Sequence, residues 1–216
     1  MPPSRLLSGA ELLLGTAVVI GHNVFHLVPN EVPILVVLGL VSIRLRSGGW
    51  AALGFRRPES WLRIVLLALA AAVLRILLGD LVIEPLARHL WPPIVAPAMA
   101  NAIPGNLRVA LLSLLAVWIF AAFGEEISYR GYLTTRAADL GQGSRSAWWL
   151  ATLFASVLFG YGHFYKGPAG IVDSSVAGLI LGTVYLLSGR NLWVCVLAHG
   201  FIDTIGVVVL FFGWAT

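Results

Sequence analysis

LRVALLSLLAVWIFAAFGEEISYRGYLTTRAAD, residues 107–139, is the stretch on which the fold turns. Its first half is apolar. Its second half turns polar yet keeps helical spacing up to a GQGS turn at 141–144. A membrane-crossing helix needs about 20 apolar residues to traverse a hydrocarbon core of about 30 Å, and this run is long enough. The polar second half places two glutamates and an arginine where a membrane helix would ordinarily carry leucine.

The rest of the 216 residues agrees with a membrane setting. Charged residues make up 11% and hydrophobic residues 59%, with a mean hydropathy of +0.90. A soluble domain carries about a quarter charged residues, and one of this size has too little interior to hide so much apolar surface. Soluble, fibrous and disordered classes are therefore excluded. The one cysteine, Cys195, rules out an internal disulfide and a cysteine-built metal site, and its apolar neighbourhood predicts core packing. The expected architecture is an all-α polytopic membrane protein, a single integral domain over 1–216 with an uncleaved first helix.

Seven apolar segments are readable: 6–28, 32–43, 61–87, 107–139, 146–164, 168–188 and 191–213. They predict about seven transmembrane helices around a central polar cavity. The second, VPILVVLGLVSI, is short and reads as either re-entrant or mismatched. The WPPIVAPAMANAIPGN connection, residues 91–106, carries prolines and a glycine that oppose regular helix, so an interfacial loop is expected. Trp50, Trp61, Trp91, Trp148, Trp149, Trp193 and Trp214 stand at segment ends, where indoles favour the headgroup layer.

The net charge of +4 comes from basic residues scattered between apolar segments, a pattern of membrane orientation rather than nucleic-acid binding. Arg44, Arg46, Arg56, Arg57 and Arg63 crowd one connection. If that connection is cytoplasmic, Arg5, Arg130, Arg136, Arg145 and Arg190 join it, against Arg88, Arg108 and Lys166 outside. That ten-to-three ratio predicts a cytoplasmic N-terminus.

Ionisable residues at membrane depth cost about 2.5–3.5 kcal/mol each to insert, so each needs a reason. FGEEISYRGYL supplies Glu125, Glu126 and Arg130; FGYGH supplies His163; AHGFID supplies His199 and Asp203. Glu126 and Arg130 stand four apart with the acid first, the favourable order for a helical ion pair that shapes the site. Glu125 points about 100° away around the helix and is left to face a cavity. His199 and Asp203 also share a face. Counted from the GQGS turn, Glu125 lies about 18 residues back and His163 about 20 onward, so at about 1.5 Å per residue the two stand level. His199 reaches that depth if the polar hairpin projects further from the membrane.

A carboxylate and two imidazoles in a partly wetted cavity are the parts of a water-activating site. Glu125 is the candidate base and His163 the group that orients water or protonates a leaving amine. His199 and Asp203 would orient groups towards a developing oxyanion. Phe159, one turn before His163, is expected to wall the imidazole. The same set of Glu125, His163 and His199 also resembles zinc ligation, but no HExxH helix is present. No cofactor is expected, with zinc as the alternative. His22 and His26 are expected to be interfacial. Glu84 and Arg88 read as a structural pair, and Asp173 either caps its helix or hydrates the cavity.

EExxxR, FxxxH and HxxxN/D in this order, with RGYL after the first, resemble the CAAX prenyl protease and bacteriocin-processing family of intramembrane endopeptidases, also called Abi. The resemblance covers about 107–213. It implies a hydrolase that cleaves a membrane-associated peptide or protein by glutamate- and histidine-activated water, of glutamic or metallo type. It further implies Glu125 as base beside His163, with His199 and Asp203 lining the same site. Asp203 stands where many relatives have Asn, and an ionised Asp accepts hydrogen bonds rather than donating them. A bacterial or archaeal cell membrane is the implied setting. The other reading is a non-catalytic immunity or scaffold protein that binds a peptide in the same cavity. A proton-coupled transporter is weaker, because no inverted repeat is evident. Nucleic acid is not an expected partner, and the sequence does not decide an oligomeric state.

Overall fold

A computed structural model describes residues 4–46, 49–91 and 98–214, and the described residues are helical with connecting turns and no strand. Seven long helices follow one another: α1 (Arg5–Asn23), α2 (Glu31–Arg46), α3 (Trp61–Leu90), α4 (Leu107–Leu140), α5 (Arg145–Tyr161), α6 (Gly167–Leu187) and α7 (Leu192–Phe211). Polar side chains fix where they begin. Ser4, Ser60, Asn106, Ser144 and Asn191 each accept a hydrogen bond from a backbone N–H in the first turn of α1, α3, α4, α5 and α7. In α3 the backbone widens into π turns over Gly79–Ile83, and in α4 over Val117–Glu125 and Ile127–Leu133.

Five helical stretches are long and apolar enough to cross a membrane: Arg5–Asn23, Trp61–Leu90, Leu107–Leu140, Phe164–Leu187 and Leu192–Phe211. With 16 and 17 residues, α2 and α5 are shorter. The second segment is nevertheless a continuous helix and not a re-entrant loop. It runs antiparallel to α1, with Arg46 beside Glu11 at one end and Glu31 beside His22 at the other. The first segment stops at Asn23, short of the expected residue 28. His26 takes a left-handed φ of 53°, which no helix can continue. Part of the expected interfacial loop, 92–97, lies outside the described residues, as does the side chain of Trp50; Ala98–Ala102 forms a short 3₁₀ helix.

Large apolar side chains cover the outside. Leu66, Leu111, Leu112, Leu115, Leu150 and Leu153 are all at least half exposed, the reverse of a water-soluble protein and the surface a lipid solvent requires. Inside, the packing divides in two. Ala68, Ala71, Leu181, Cys195, Val196 and Ala198 join α3, α6 and α7. Val19, Leu35, Tyr129, Tyr132, Leu133 and Leu158 join α1, α2, α4 and α5. Cys195 is buried in the first cluster, and its thiol donates to the Leu181 carbonyl. Small residues allow close approach of the helices: Gly39 of α2 lies against the Tyr132 side chain, and Gly131 of α4 against the Leu53 carbonyl.

Both ends of the bundle are tied. At one end, Glu11 of α1 binds Arg46 of α2 at 2.8 Å and Arg136 of α4 at 3.1 Å, and Arg136 also reaches Asp139 at 2.9 Å. Ser8 donates to Asp139 and Ser42 to Glu11, completing the network. The basic connection joins the same end of the molecule through Leu192 N–H to the Gly54 carbonyl and Asn191 to the Arg56 carbonyl. At the other end Gly105 N–H donates to the Phe211 carbonyl. Breaking a largely buried ion network by removing one partner costs about 3–5 kcal/mol. Glu11→Ala is therefore expected to lower the thermal unfolding midpoint in detergent clearly, while the surface pair Glu84–Arg88, at 2.6 Å but 50–62% exposed, can be removed with little change.

Candidate active site

The seam between the two packing clusters is polar, and α4 supplies its centre. Glu126 is fully buried and its Oε1 takes two charge-assisted contacts: Arg130 Nη1 at 2.9 Å and His199 Nδ1 at 2.8 Å. Arg130 is held in turn. Its Nη2 donates to the Gly178 carbonyl of α6 at 3.2 Å, and its guanidinium lies 4.6 Å from the centre of the Phe159 ring of α5. A single carboxylate thus connects α4 with α7 directly and with α5 and α6 through Arg130.

His199 stands between carboxylates. With Nδ1 on Glu126, its Nε2 faces Asp203 Oδ2 at 3.6 Å and Glu125 Oε2 at 4.0 Å. Both distances are beyond a direct hydrogen bond but within ion-pair range. Glu125 diverges from Glu126 around the helix, and its Oε2 is buried with no hydrogen-bond partner. Glu126 Oε2 is likewise buried without a hydrogen bond, while its Oε1 is held by Arg130 and His199.

His163 is not the last residue of a helix. After Tyr161 closes α5, His163 occupies the turn before α6, with φ −112° and ψ 25°. Its Nδ1 lies 2.9 Å from the Phe159 carbonyl. A carbonyl only accepts, so Nδ1 carries the proton and Nε2 keeps its lone pair. The Phe159 ring packs 4.8 Å from His163 and 6.1 Å from His199, centre to centre, so it separates the two imidazoles and touches both. The four ionisable residues at Glu125, His163, His199 and Asp203 thus come to one region, drawn from α4, the α5–α6 turn and α7.

Chemically, the arrangement offers a carboxylate oxygen without a hydrogen bond, an imidazole with a free lone pair and a second imidazole fixed by a buried acid. These groups can bind and polarise water. A metal ion would ask more of them. Among the described residues no three His, Cys, Asp or Glu side chains form a group placed to hold one ion.

Other pairings were not readable from spacing within one helix. His22 is not merely interfacial. Its Nε2 meets Glu31 Oε2 of α2 at 3.2 Å while Nδ1 lies 3.0 Å from the Val28 carbonyl. Asp173 neither caps α6 nor stands open to water. It lies inside that helix and accepts from Arg75 of α3 at 2.6 Å. Trp118, inside α4 and away from any segment end, donates to Thr204 of α7 at 3.1 Å. The signal for each was an unmatched polar residue in an apolar run, whose partner lay on another helix.

Fold and site together define a helical integral membrane protein with a buried glutamate–histidine centre. Residues 107–205 match the family described as type II CAAX prenyl endopeptidase Rce1-like, so this part of the chain is similar to that family. The match begins with α4 and ends within α7, eight residues before the expected 213, and it contains every candidate site residue. Neither the curated proteins nor the solved structures hold a match to this chain.

Gly200 lets α7 approach α4 at the site. A methyl group there would fall onto the Trp118 indole ring. Overpacking of this kind costs about 1–3 kcal/mol. Gly200→Ala is expected to lower the unfolding midpoint and, by displacing the neighbouring His199, to weaken whatever activity the centre supports, measured side by side on the purified protein.

Proposed function

We propose that this protein is an intramembrane endopeptidase that hydrolyses a peptide bond of a membrane-associated peptide or protein with activated water. The observation that carries the reading is the pair of glutamates on α4. Glu126 has one oxygen held by both Arg130 and His199, while Glu125 is buried with no hydrogen bond to its Oε2 and lies within ion-pair range of His199. The match to the prenyl endopeptidase family supports the same reading.

In this mechanism Glu125 takes a proton from water as the water oxygen attacks the scissile carbonyl carbon. His163, whose Nε2 is free to accept, orients that water, takes the proton on from Glu125 and delivers it to the departing amine. Glu126 and Arg130 are positioning residues: they fix His199, which together with Asp203 lines the polar cavity. All seven helices are proposed to cross or enter the bilayer of a prokaryotic cell membrane. The arginine-rich end, with Arg46, Arg56, Arg136 and Arg190, would face the cytoplasm and so would the N-terminus. The water is activated by protein groups, without a resident metal.

General acid–base catalysis contributes about 10²–10⁴-fold, so Glu125→Gln and His163→Ala should each lose at least that much activity while remaining folded. Comparative membrane proteomics of wild type and Glu125→Gln should show a peptide terminus that is missing in the variant. Wild-type processing by both variants would overturn the assignment, and an immunity phenotype preserved in Glu125→Gln would point to binding without cleavage. Activity should also survive thorough chelation. One equivalent of metal lost together with activity, and activity restored by zinc, would replace the glutamate-only mechanism with a metal-assisted one.

A further inference from the structure

On α4, Glu125 Oε2 and Tyr129 Oη are both buried without a hydrogen bond, as is Glu126 Oε2. Glu125 and Tyr129 stand four residues apart, one an acceptor and the other a donor. Tyr129 is 1% exposed, and its ring packs edge-on against Phe159 with centres 5.1 Å apart. Phe159 is the same ring that touches His163 and His199. The hydroxyl points at Gly162, the residue before His163: a methyl group at Gly162 would come within 2.7 Å of Oη. Glycine thus packs directly against the hydroxyl, and the Phe159 carbonyl lies 3.1 Å from the same point. An unpaired buried hydroxyl weakens the fold unless something bound supplies its partner.

The cationic donors nearby are Arg130, bound to Glu126 and the Gly178 carbonyl, and Lys166, which interacts with Glu125 and Asp203. Glu125, Glu126 and Asp203 only accept when ionised. His163 spends its Nδ1 proton on the Phe159 carbonyl and His199 its own on Glu126, while His199 Nε2 faces two carboxylates. Tyr129 O–H is the uncommitted neutral donor of this group.

Resting on the endopeptidase reading, we propose that Tyr129 Oη donates the hydrogen bond that holds the scissile carbonyl oxygen and its developing negative charge. The water oxygen bonds to the carbonyl carbon while the C=O π pair moves onto oxygen, facing Tyr129 O–H. The water proton goes to Glu125, one helical turn earlier. When the carbonyl re-forms, the C–N bond breaks and the amine leaves with that proton. Tyrosine keeps its own proton throughout, so the step balances with water alone. Acceptor and donor on successive turns of one rigid helix suit this division, because neither moves relative to the other.

The test uses a quenched peptide spanning the cleavage site revealed by the Glu125→Gln proteomic comparison, together with the aldehyde of the same peptide, whose hydrate mimics the tetrahedral intermediate. Removal of one such donor costs about 10²–10³ in kcat. Tyr129→Phe should show that loss with KM unchanged, and should weaken the aldehyde by a similar factor without weakening an uncleavable peptide. Gly162→Ala, which places a methyl group against the hydroxyl, should reproduce the kcat loss and serves if Tyr129→Phe fails to fold. Glu31→Gln is the control, since Glu31 Oε1 also lies within 3.6 Å of that methyl position. A Glu31→Gln variant as impaired as Tyr129→Phe overturns the proposal, because Tyr129 would then act through Glu31. Wild-type kcat in Tyr129→Phe with an inactive Glu125→Gln overturns it alone. Wild-type activity in both overturns the endopeptidase reading itself.

Discussion

A fully buried carboxylate must be neutralised where it stands, and Glu126 is neutralised by groups from different helices. Arg130 comes from its own helix and His199 from α7, at 2.9 and 2.8 Å. Arg130 then needs its remaining donors satisfied, which brings in Gly178 of α6, and its flat face covered, which brings in Phe159 of α5. Removing one member would leave a charge unpaired in a low-dielectric interior, far costlier than losing an ordinary contact. This constraint fixes α5, α6 and α7 around α4.

Lipid explains the remaining arrangement. Apolar burial gives helices little reason to prefer one another over hydrocarbon, so association relies on close packing and polar contacts. The polar contacts occur at three levels: the Glu11, Arg46, Arg136 and Asp139 network at one end, the Glu126 centre, and the pairs His22–Glu31 and Arg75–Asp173. Each joins one helix to another, some adjacent in sequence, as His22–Glu31 joins α1 to α2, and some distant, as Arg75–Asp173 joins α3 to α6. Between these levels, glycine and alanine admit neighbouring helices, as Gly39 admits Tyr132 and Gly178 admits Ser156.

The candidate site was largely legible because membrane depth makes ionisable residues conspicuous. Glu125, Glu126, Arg130, His163, His199 and Asp203 stand out in apolar runs, and the helical repeat places Arg130 within reach of Glu126. Their roles towards one another were less legible. Spacing paired Glu126 with Arg130 but could not show that the same oxygen also holds His199, seventy-three residues away. Tyr129 escaped notice because a tyrosine in an apolar helix reads as packing; only its unpartnered hydroxyl distinguishes it. His163 was placed in a helix because FGYGH continues an apolar run, whereas the chain leaves the helix at Gly162 to turn into α6.

By itself the sequence determined the solvent, the helical secondary structure and the ionisable side chains of the candidate site. Composition, the period of the helix and the cost of burying charge act locally and leave few alternatives. Tertiary structure decided what no local rule reaches: that α2 is a continuous helix beside α1, that Asp173 serves Arg75 rather than water, and which of two adjacent glutamates holds both Arg130 and His199. The physical reason is the same in each case. A buried polar group is settled by whichever partner the packing brings within about 3 Å, and in a helical bundle that partner lies on another helix at an unrelated distance along the chain.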